Sequence, residues 1–305
     1  MCKLQSSQKA RKVGYFSAFL AAALFGSIST VAKPALSEVN PIFLSSMVYL
    51  LAALVASPIA RKEGLFTIKK NDWLMILAIA TSGAIIAPTL YFTGLAETKA
   101  SDAAVLSNAE IVFTVLIALA FFKERLNVAG YIAVAMVLIG TFIVTTNLEF
   151  SDFVVDLESR GSLLILAAMA FWALDNNISK VVSQRVDASR LVQLKSVIGG
   201  AMLMVVVLLS GLPTIGINYY SVLNIIVLGT AGFGASLFFF LHSLKRIGTV
   251  RTMLIFSTSA IFGLFFAAVF LHEDVGIHQI VAIAIMLSGI YLIERHDERK
   301  AKKIY

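Results

Sequence analysis

Three ionisable residues lie inside long apolar stretches of this chain: Glu110, Asp175 and Lys195. A charged side chain near the centre of a bilayer costs about 2.5–3.5 kcal/mol on insertion scales, so it persists where it faces a cavity or a partner. Such a carboxylate can carry a proton or bind a cation, and such an ammonium can hold a carboxylate. The structural alternatives pair Glu110 with Lys195 or hydrogen-bond either carboxylate to a neighbouring helix. They also pair Lys195 with Asp175 or let it reach the cytoplasmic headgroups.

Polar and aromatic neighbours extend this set of candidate substrate-binding or coupling residues. Asn108 precedes Glu110 by two, which in a helix places the two side chains roughly 200° apart, so we expect them to face different directions. Asp175 and Ser179 are four residues apart and share a helix face. Four more candidates, for which helix packing is the alternative role, are Asn176, Tyr91, Trp172 and Ser236.

Other chemistry finds little support in the sequence. His272 and His278 lie close together, but no cysteine joins them and their spacing is not typical of a zinc site. The single cysteine, Cys2, excludes an intramolecular disulfide. No nucleophile elbow, zinc-protease motif or phosphate-binding glycine loop is present. We therefore expect no metal, no cofactor and no enzymatic activity.

Composition indicates which solvent surrounds these residues. The chain has 305 residues, of which 59% are hydrophobic and 14% charged, and its mean hydropathy is +0.88. A soluble domain carries roughly a quarter charged residues, so we expect the lipid bilayer to be the solvent here. The net charge of +7 would suggest nucleic acid in a soluble protein. The distribution of basic residues accounts for that charge, and we expect no nucleic-acid partner.

Ten apolar stretches are long enough to span a bilayer, which takes about 20 residues. Most of the 25 Lys and Arg residues lie before the first stretch, after the last, or within or at the edges of the even-numbered connections. The exceptions are Lys195 inside a stretch and Lys33, Lys99 and Arg160 in odd-numbered connections. Short basic loops stay cytoplasmic, so we predict a multi-pass plasma-membrane protein with both termini in the cytoplasm. The predicted spans are about 15–33, 41–60, 72–95, 101–122, 128–146, 161–182, 188–210, 220–243, 249–271 and 277–294.

The two halves of the chain resemble each other. F-G-S-I-S-T-V-A-K at 25–33 and W-A-L-D-N-N-I-S-K at 172–180 place an aromatic residue eight before a lysine, and F-F-K-E-R-L at 121–126 matches F-L-H-E-D-V at 270–275. These matches share an offset close to 148. Because each half holds five spans, the second must be inserted upside down, as in many secondary transporters. We predict an all-α protein with repeats at 1–146 and 161–305, an acidic external linker at 147–160 and a short basic cytoplasmic tail.

Two further features concern the ends and bends of helices. Glu124 and Glu273 occupy equivalent helix-end loops, where we expect them to cap helix N-termini or pair with nearby bases. Pro88 lies inside the third predicted span. There it either kinks the helix and frees a backbone carbonyl toward a cavity, or serves packing geometry.

These motifs resemble the EamA-type branch of the drug/metabolite transporter superfamily. The resemblance rests on residues 24–33, the D-N-N run at 175–177, Lys195, and R-T-M-L-I-F-S-T at 251–258. It implies ten helices in two inverted repeats, cytoplasmic termini and alternating access through a central cavity. Members of the family are associated with export of amino acids and other metabolites.

The leading hypothesis is a secondary transporter that exports a small, amino-acid-like or amphipathic metabolite. We expect spans three, four, six, eight and nine to form its cavity, and transport to be facilitated or coupled to an ion gradient. Nucleotide-sugar or sugar-phosphate exchange is the main alternative, but it calls for several cationic cavity residues and only Lys195 is a clear one. A lipid-modifying membrane enzyme is a weaker alternative. Ten spans in one chain suffice for a pathway, which is compatible with a monomer or a homodimer.

Overall fold

A computed structural model describes residues 2–60, 68–122, 157–212, 218–247, 252 and 255–303, with a few more between 128 and 143. Most of these residues are helical, and no strand occurs among them, so the all-α class is as predicted. The elements are α1 (Cys2–Ala35), α2 (Pro41–Ala60), α3 (Lys70–Ile79), a first π-helical segment (Ala80–Ile86), α4 (Ala87–Glu97), α5 (Ala100–Leu106), α6 (Ala109–Phe122), α7 (Leu157–Val182), α8 (Ala188–Leu209), α9 (Tyr219–Val227), a second π-helical segment (Leu228–Ala235), α10 (Ser236–Ile247), α11 (Ser259–Phe270) and α12 (Ile277–Lys303).

Several of these helices can cross a membrane. Large apolar side chains such as Leu54, Leu209 and Phe265 point outward, 58–83% exposed, which suits lipid as the solvent. Small residues such as Ala21 and Ala22 fill the interior and let helices approach closely. Six helices of sufficient length and apolarity occur in the described part of the chain: Lys12–Ala35, Pro41–Ala60, Asp72–Glu97, Arg160–Val182, Ser189–Leu209 and Tyr219–Phe240. The protein is therefore a multi-pass membrane protein.

The remaining predicted spans are less regular. Most of the fifth span, most of the 147–160 linker, and Glu124 lie outside the described residues. The fourth span is interrupted, because α5 ends at Leu106 and α6 begins at Ala109. In the ninth, α11 begins only at Ser259, after a turn. The count of ten spans stays a prediction.

The irregularities recur at equivalent places in the two halves. The π segments begin at Ala80 and Leu228, and the helices that follow the two interruptions begin at Ala109 and Ser259. These offsets of 148 and 150 agree with the offset of the repeated sequence motifs. A π segment within an α-helix is rare and frequently marks a functional site. The same two discontinuities therefore interrupt both halves.

The helices pack into two bundles that each draw on both halves of the chain. In the first bundle, α7 packs along α4 and α6. In the second bundle, α1 packs along α10 and α11. The repeat relates the two bundles, because α7, α4 and α6 of the first correspond to α1, α10 and α11 of the second. Helices α2 and α8 also correspond to each other, and they pack on each other. The short helix α5 packs mainly on α11 and α1, although it belongs by sequence to the first bundle.

Glu273 caps a helix, as predicted. Its carboxylate oxygens accept hydrogen bonds from the backbone N–H groups of Ala100 and Ser101, each at 2.9 Å, and from the Ser101 hydroxyl at 2.7 Å. The first N–H groups of a helix have no partner inside it and carry its positive dipole end. A glutamate from the second half of the chain therefore satisfies the start of α5.

Candidate functional site

A cavity of about 930 Å³, including the space at its mouth, lies in the middle of the protein. Both bundles line it, together with α2 and α8. The predicted spans four, six, eight and nine contribute lining side chains, and so do the first, second and seventh. The expectation for the third span is wrong, because its π segment lies behind the lining. Its small residues, including the buried Gly83 and Ala84, bring its backbone close to the cavity wall.

A buried ion pair crosses one side of the cavity. Lys195 Nζ donates to Asp175 Oδ2 at 2.6 Å, and the Ser179 hydroxyl donates to Asp175 Oδ1 at 2.9 Å. The two charged side chains are only 11% and 3% exposed. Lys195 thus balances Asp175, one of the alternatives that the sequence left open. The i, i+4 relation predicted for Asp175 and Ser179 is also observed.

Glu110 lies apart from this ion pair. It occupies the first turn of α6, and Asn176 Nδ2 donates to its Oε1 at 2.5 Å. Of its two structural alternatives, the pairing with Lys195 is therefore wrong, since the lysine bonds to Asp175, and the hydrogen bond to a neighbouring helix is the one observed. The amide of Asn176 is neutral, so it does not compensate the negative charge of an ionised Glu110 carboxylate.

Asn108 lines the same cavity as Glu110, which corrects the expectation that the two would face different directions. The expectation assumed one continuous helix. In the structure α5 stops at Leu106, and Ser107 and Asn108 form a turn before α6, so a rotation of 100° per residue does not apply between them. The interruption places both polar residues on the lining.

The first π segment exposes a backbone oxygen to the cavity wall. In a π-helix each N–H bonds to the carbonyl five residues earlier, as that of Ala87 does to Ser82. Pro88 follows and has no N–H, so the Gly83 carbonyl lacks its backbone donor. Trp172 Nε1 and the Tyr49 hydroxyl donate to this oxygen at 2.9 and 2.5 Å. The freed carbonyl predicted for Pro88 thus fixes two side chains of the lining.

Aromatic rings form an apolar wall of the cavity. The Phe25 ring lies 4.9 Å from that of Phe256, and the Phe233 ring lies 5.6 Å from Tyr49 and 6.3 Å from Trp172. Such distances suit tilted aromatic contacts. All five residues line the cavity. The wall can accommodate the apolar part of a ligand.

Two candidates have mainly structural contacts. Tyr91 is buried behind Trp172, with ring centroids 5.3 Å apart, and does not line the cavity. Ser236 is on the lining, but its hydroxyl donates to the Ala21 carbonyl at 3.0 Å. This bond ties α10 to α1, in agreement with the helix-packing role considered for it.

Sequence reasoning missed Tyr49 and Phe233 as lining residues. Tyr49 carried a signal, because its hydroxyl is a polar group in an apolar stretch and needs a partner when buried. Phe233 carried none, since it is one of 22 phenylalanines. Among the described residues, no cluster of three His, Cys, Asp or Glu side chains is placed to hold a metal ion.

Comparisons with known proteins place these features in context. Residues 12–146 and 159–295 each match the model of the EamA-like transporter family. An uncharacterized transporter of Methanothermobacter thermautotrophicus is 29% identical over 96% of this chain and 89% of its own length. Uncharacterized transporters of Clostridium kluyveri and Bacillus subtilis (YcxC) are 22% and 23% identical, covering at least 95% of both chains. One crystal structure superimposes with a TM-score of 0.70 over 96% of this chain and 98% of its own, at 17% identity, which shows the fold alone.

Proposed function

The chain belongs to the EamA-like transporter family, within the drug/metabolite transporter superfamily that its motifs resemble. From this premise we propose that it exports a small amphipathic metabolite through the central cavity. The family and the names of its relatives indicate a transporter rather than an enzyme. The proposal adds that transport is secondary, proceeds by alternating access between two inverted repeats, and crosses the plasma membrane toward the outside. Both termini lie in the cytoplasm on this proposal.

The distribution of charge in the cavity carries the proposal. Of the described residues that line it, the charged ones are Glu110, Asp175 and Lys195. Asp175 and Lys195 neutralise each other at 2.6 Å, which leaves Glu110 with a neutral amide as its hydrogen-bond partner. The ionised cavity therefore has a formal charge of −1, located at Glu110. This carboxylate is the group that can bind a proton or the cationic group of a substrate.

Proton coupling follows if the two ligands compete. A substrate ammonium and a proton cannot both neutralise Glu110 at once, so binding of one releases the other. Alternation of the two across the membrane is antiport, in which an inward proton gradient drives export. The aromatic wall of Phe25, Phe233 and Phe256 takes the apolar part of the substrate, since burial of apolar surface is favourable. The substrate class that fits is a small amine or amino-acid-like compound with an apolar side.

The exchange of nucleotide sugars or sugar phosphates fits this cavity less well. A phosphate carries one to two negative charges and is bound in proteins by arginine and lysine clusters. The described lining offers Lys195, which is already engaged by Asp175. A negatively charged phosphate would therefore enter a cavity that is itself negatively charged.

Reconstitution in proteoliposomes tests the proposal. A panel of metabolites is first screened by thermal stabilisation, and the best ligand is then used for flux with and without a pH gradient. Glu110→Gln is expected to abolish flux driven by the pH gradient while leaving the protein folded. Asp274→Asn is the control, because Asp274 is an exposed carboxyl outside the cavity, and it is expected to transport like wild type. Wild-type gradient-driven flux in Glu110→Gln would remove Glu110 from the mechanism.

A further inference from the structure

The turn between α4 and α5 is held from both sides by charged residues of the second bundle. Lys33, in the last turn of α1, donates through Nζ to the carbonyls of Leu95, Ala96 and Thr98 at 2.8, 3.1 and 2.6 Å. Glu273, just after α11, accepts from the backbone N–H groups at the start of α5. A cation thus meets the C-terminal end of α4, and an anion meets the N-terminal end of α5.

Both contacts match the electrostatics of helix ends. The last carbonyls of a helix carry partial negative charge and the first N–H groups carry partial positive charge, so a lysine and a glutamate are each favourable there. Both are charge-assisted hydrogen bonds, which are stronger than neutral ones. A buried neighbour reinforces the second contact, because Gln279 donates to the Ser101 hydroxyl and to the Asp102 carboxylate.

The clamped turn lies one short helix away from the cavity. Helix α5 has seven residues, all buried, and spans about 10 Å at 1.5 Å per residue. It begins at the clamp and ends beside Ser107, which lines the cavity. On the predicted topology this end of the protein faces the exterior, because Lys33 and Glu273 lie in or next to odd-numbered connections. The clamp therefore lies between the cavity and the outside.

We propose that Lys33 and Glu273 form an external gate, a pair of charges on the second bundle that holds the α4–α5 turn and keeps the cavity closed to the exterior. The proposal rests on the proposed function, since alternating access requires this end to open. Opening draws α4 away from α1 and lifts the start of α5 off α11, on which it packs, so both sets of hydrogen bonds break. The free energy of these bonds sets the balance between the outward-open and inward-open populations.

Other polar contacts at the same end do not cross between the bundles. Ser221 and Asn218, at the start of α9, donate to Glu38, which follows α1, so this contact stays within the second bundle. Arg160 of α7 lies 3.7 Å from Glu97 of α4, a contact within the first bundle. Separation of the bundles preserves both. They provide matched controls of the same charge type at the same end.

Cysteine accessibility tests the gate without a known substrate. Cys2 is the single cysteine of the chain, so Cys2→Ser provides a cysteine-free background and Ala52→Cys places a reporter on the cavity lining. A membrane-impermeant maleimide is applied to right-side-out and to inside-out vesicles. Lys33→Met and Glu273→Gln are each expected to raise the external labelling rate about tenfold, the population change that loss of one charge-assisted hydrogen bond produces.

The labelling rate from the cytoplasmic side distinguishes gating from loosening. A shift in population raises the external rate and lowers the cytoplasmic rate, whereas general destabilisation raises both. Glu38→Gln and Arg160→Met are expected to leave the external rate unchanged, and Lys33→Arg is expected to restore it. The gate would be overturned if Lys33→Met and Glu273→Gln were labelled from outside at the rate of Glu38→Gln. It would also be overturned if their labelling rates rose from both sides of the membrane. If the external labelling rate rises and the cytoplasmic rate falls, but the protein transports none of the metabolites, the gate stands and the proposed function is refuted.

Discussion

Removing one member of the Asp175–Lys195 pair is expected to cost more than removing both. Lys195→Met keeps a similar side-chain volume but leaves Asp175 buried with the Ser179 hydroxyl as its remaining described partner. The breaking of a buried ion pair from one side costs about 3–5 kcal/mol, whereas replacement of both members is often close to neutral. Because the two side chains are 11% and 3% exposed, solvent screens the pair little. Asp175→Asn alone leaves a buried ammonium unpaired and is expected to be similarly costly.

The double-mutant cycle of Asp175→Asn and Lys195→Met measures this coupling. Single changes that each cost about 3–5 kcal/mol, with a double change close to neutral, correspond to a coupling of about 6 kcal/mol or more, which exceeds the range of about 0.5–3 kcal/mol usual for residues in contact. Unfolding in mixed micelles, followed by the fluorescence of the two tryptophans, gives the four free energies. The pair of Asp72 with Arg185 is a control at 3.2 Å, because the arginine is 46% exposed and we expect a coupling of about 1 kcal/mol or less.

Additive effects of Asp175→Asn and Lys195→Met would refute this reasoning. They would mean that the two charges do not stabilise each other and that Lys195 is available to a substrate anion. The formal charge assigned to the cavity would then be wrong, and the anion exchanger would become the better hypothesis.

Two further predictions concern the first π segment. Gly83→Ala is expected to destabilise strongly, because a Cβ there would lie 2.7 Å from that of Asp175. Gly232→Ala, in the second π segment, would place a Cβ 3.2 Å from the Ile28 side chain and is expected to be milder in a thermal-stability assay. Trp172→Phe removes one of two donors to the Gly83 carbonyl and is expected to cost about 1 kcal/mol. Combined with Tyr49→Phe it leaves that carbonyl buried and unpaired, so the double change is expected to exceed the sum of the singles. Equal stability of the two alanine variants, or strict additivity of the aromatic ones, would contradict the packing described here.

Local features of the chain were readable from the sequence. The apolar stretches predicted helices that cross a membrane, because a lipid-exposed backbone must satisfy its hydrogen bonds internally. The repeated motifs predicted equivalent halves, and the EamA resemblance is confirmed by the family match over 12–146 and 159–295. The hydrogen bond between Asp175 and Ser179 followed from a spacing of four. Each of these inferences depends on composition, on repetition along the chain, or on residues within one helical turn.

Contacts between distant segments needed the tertiary structure. Asn108 and Glu110 meet on one lining because the helix breaks between them, and a rule of constant rotation cannot anticipate a break that packing stabilises. The sequence left Lys195 able to pair with Glu110 or Asp175, to hold a substrate carboxylate or to reach the headgroups, and the distance of 2.6 Å to Asp175 selects one of these roles. Several arrangements satisfy the same polar groups, and only the packed helices determine which groups lie within reach.

The sequence by itself determined that this chain is a helical membrane protein of two related halves with a few ionisable groups among apolar ones, since hydropathy and repetition are properties of the chain alone. Only the tertiary structure decided which of those groups compensate each other. It neutralised Lys195 with Asp175, set Glu110 apart beside an amide, and brought Lys33 and Glu273 to the two ends of one turn. The physical reason is that electrostatic and hydrogen-bond energies depend on distance in space, which the order of residues along the chain does not specify.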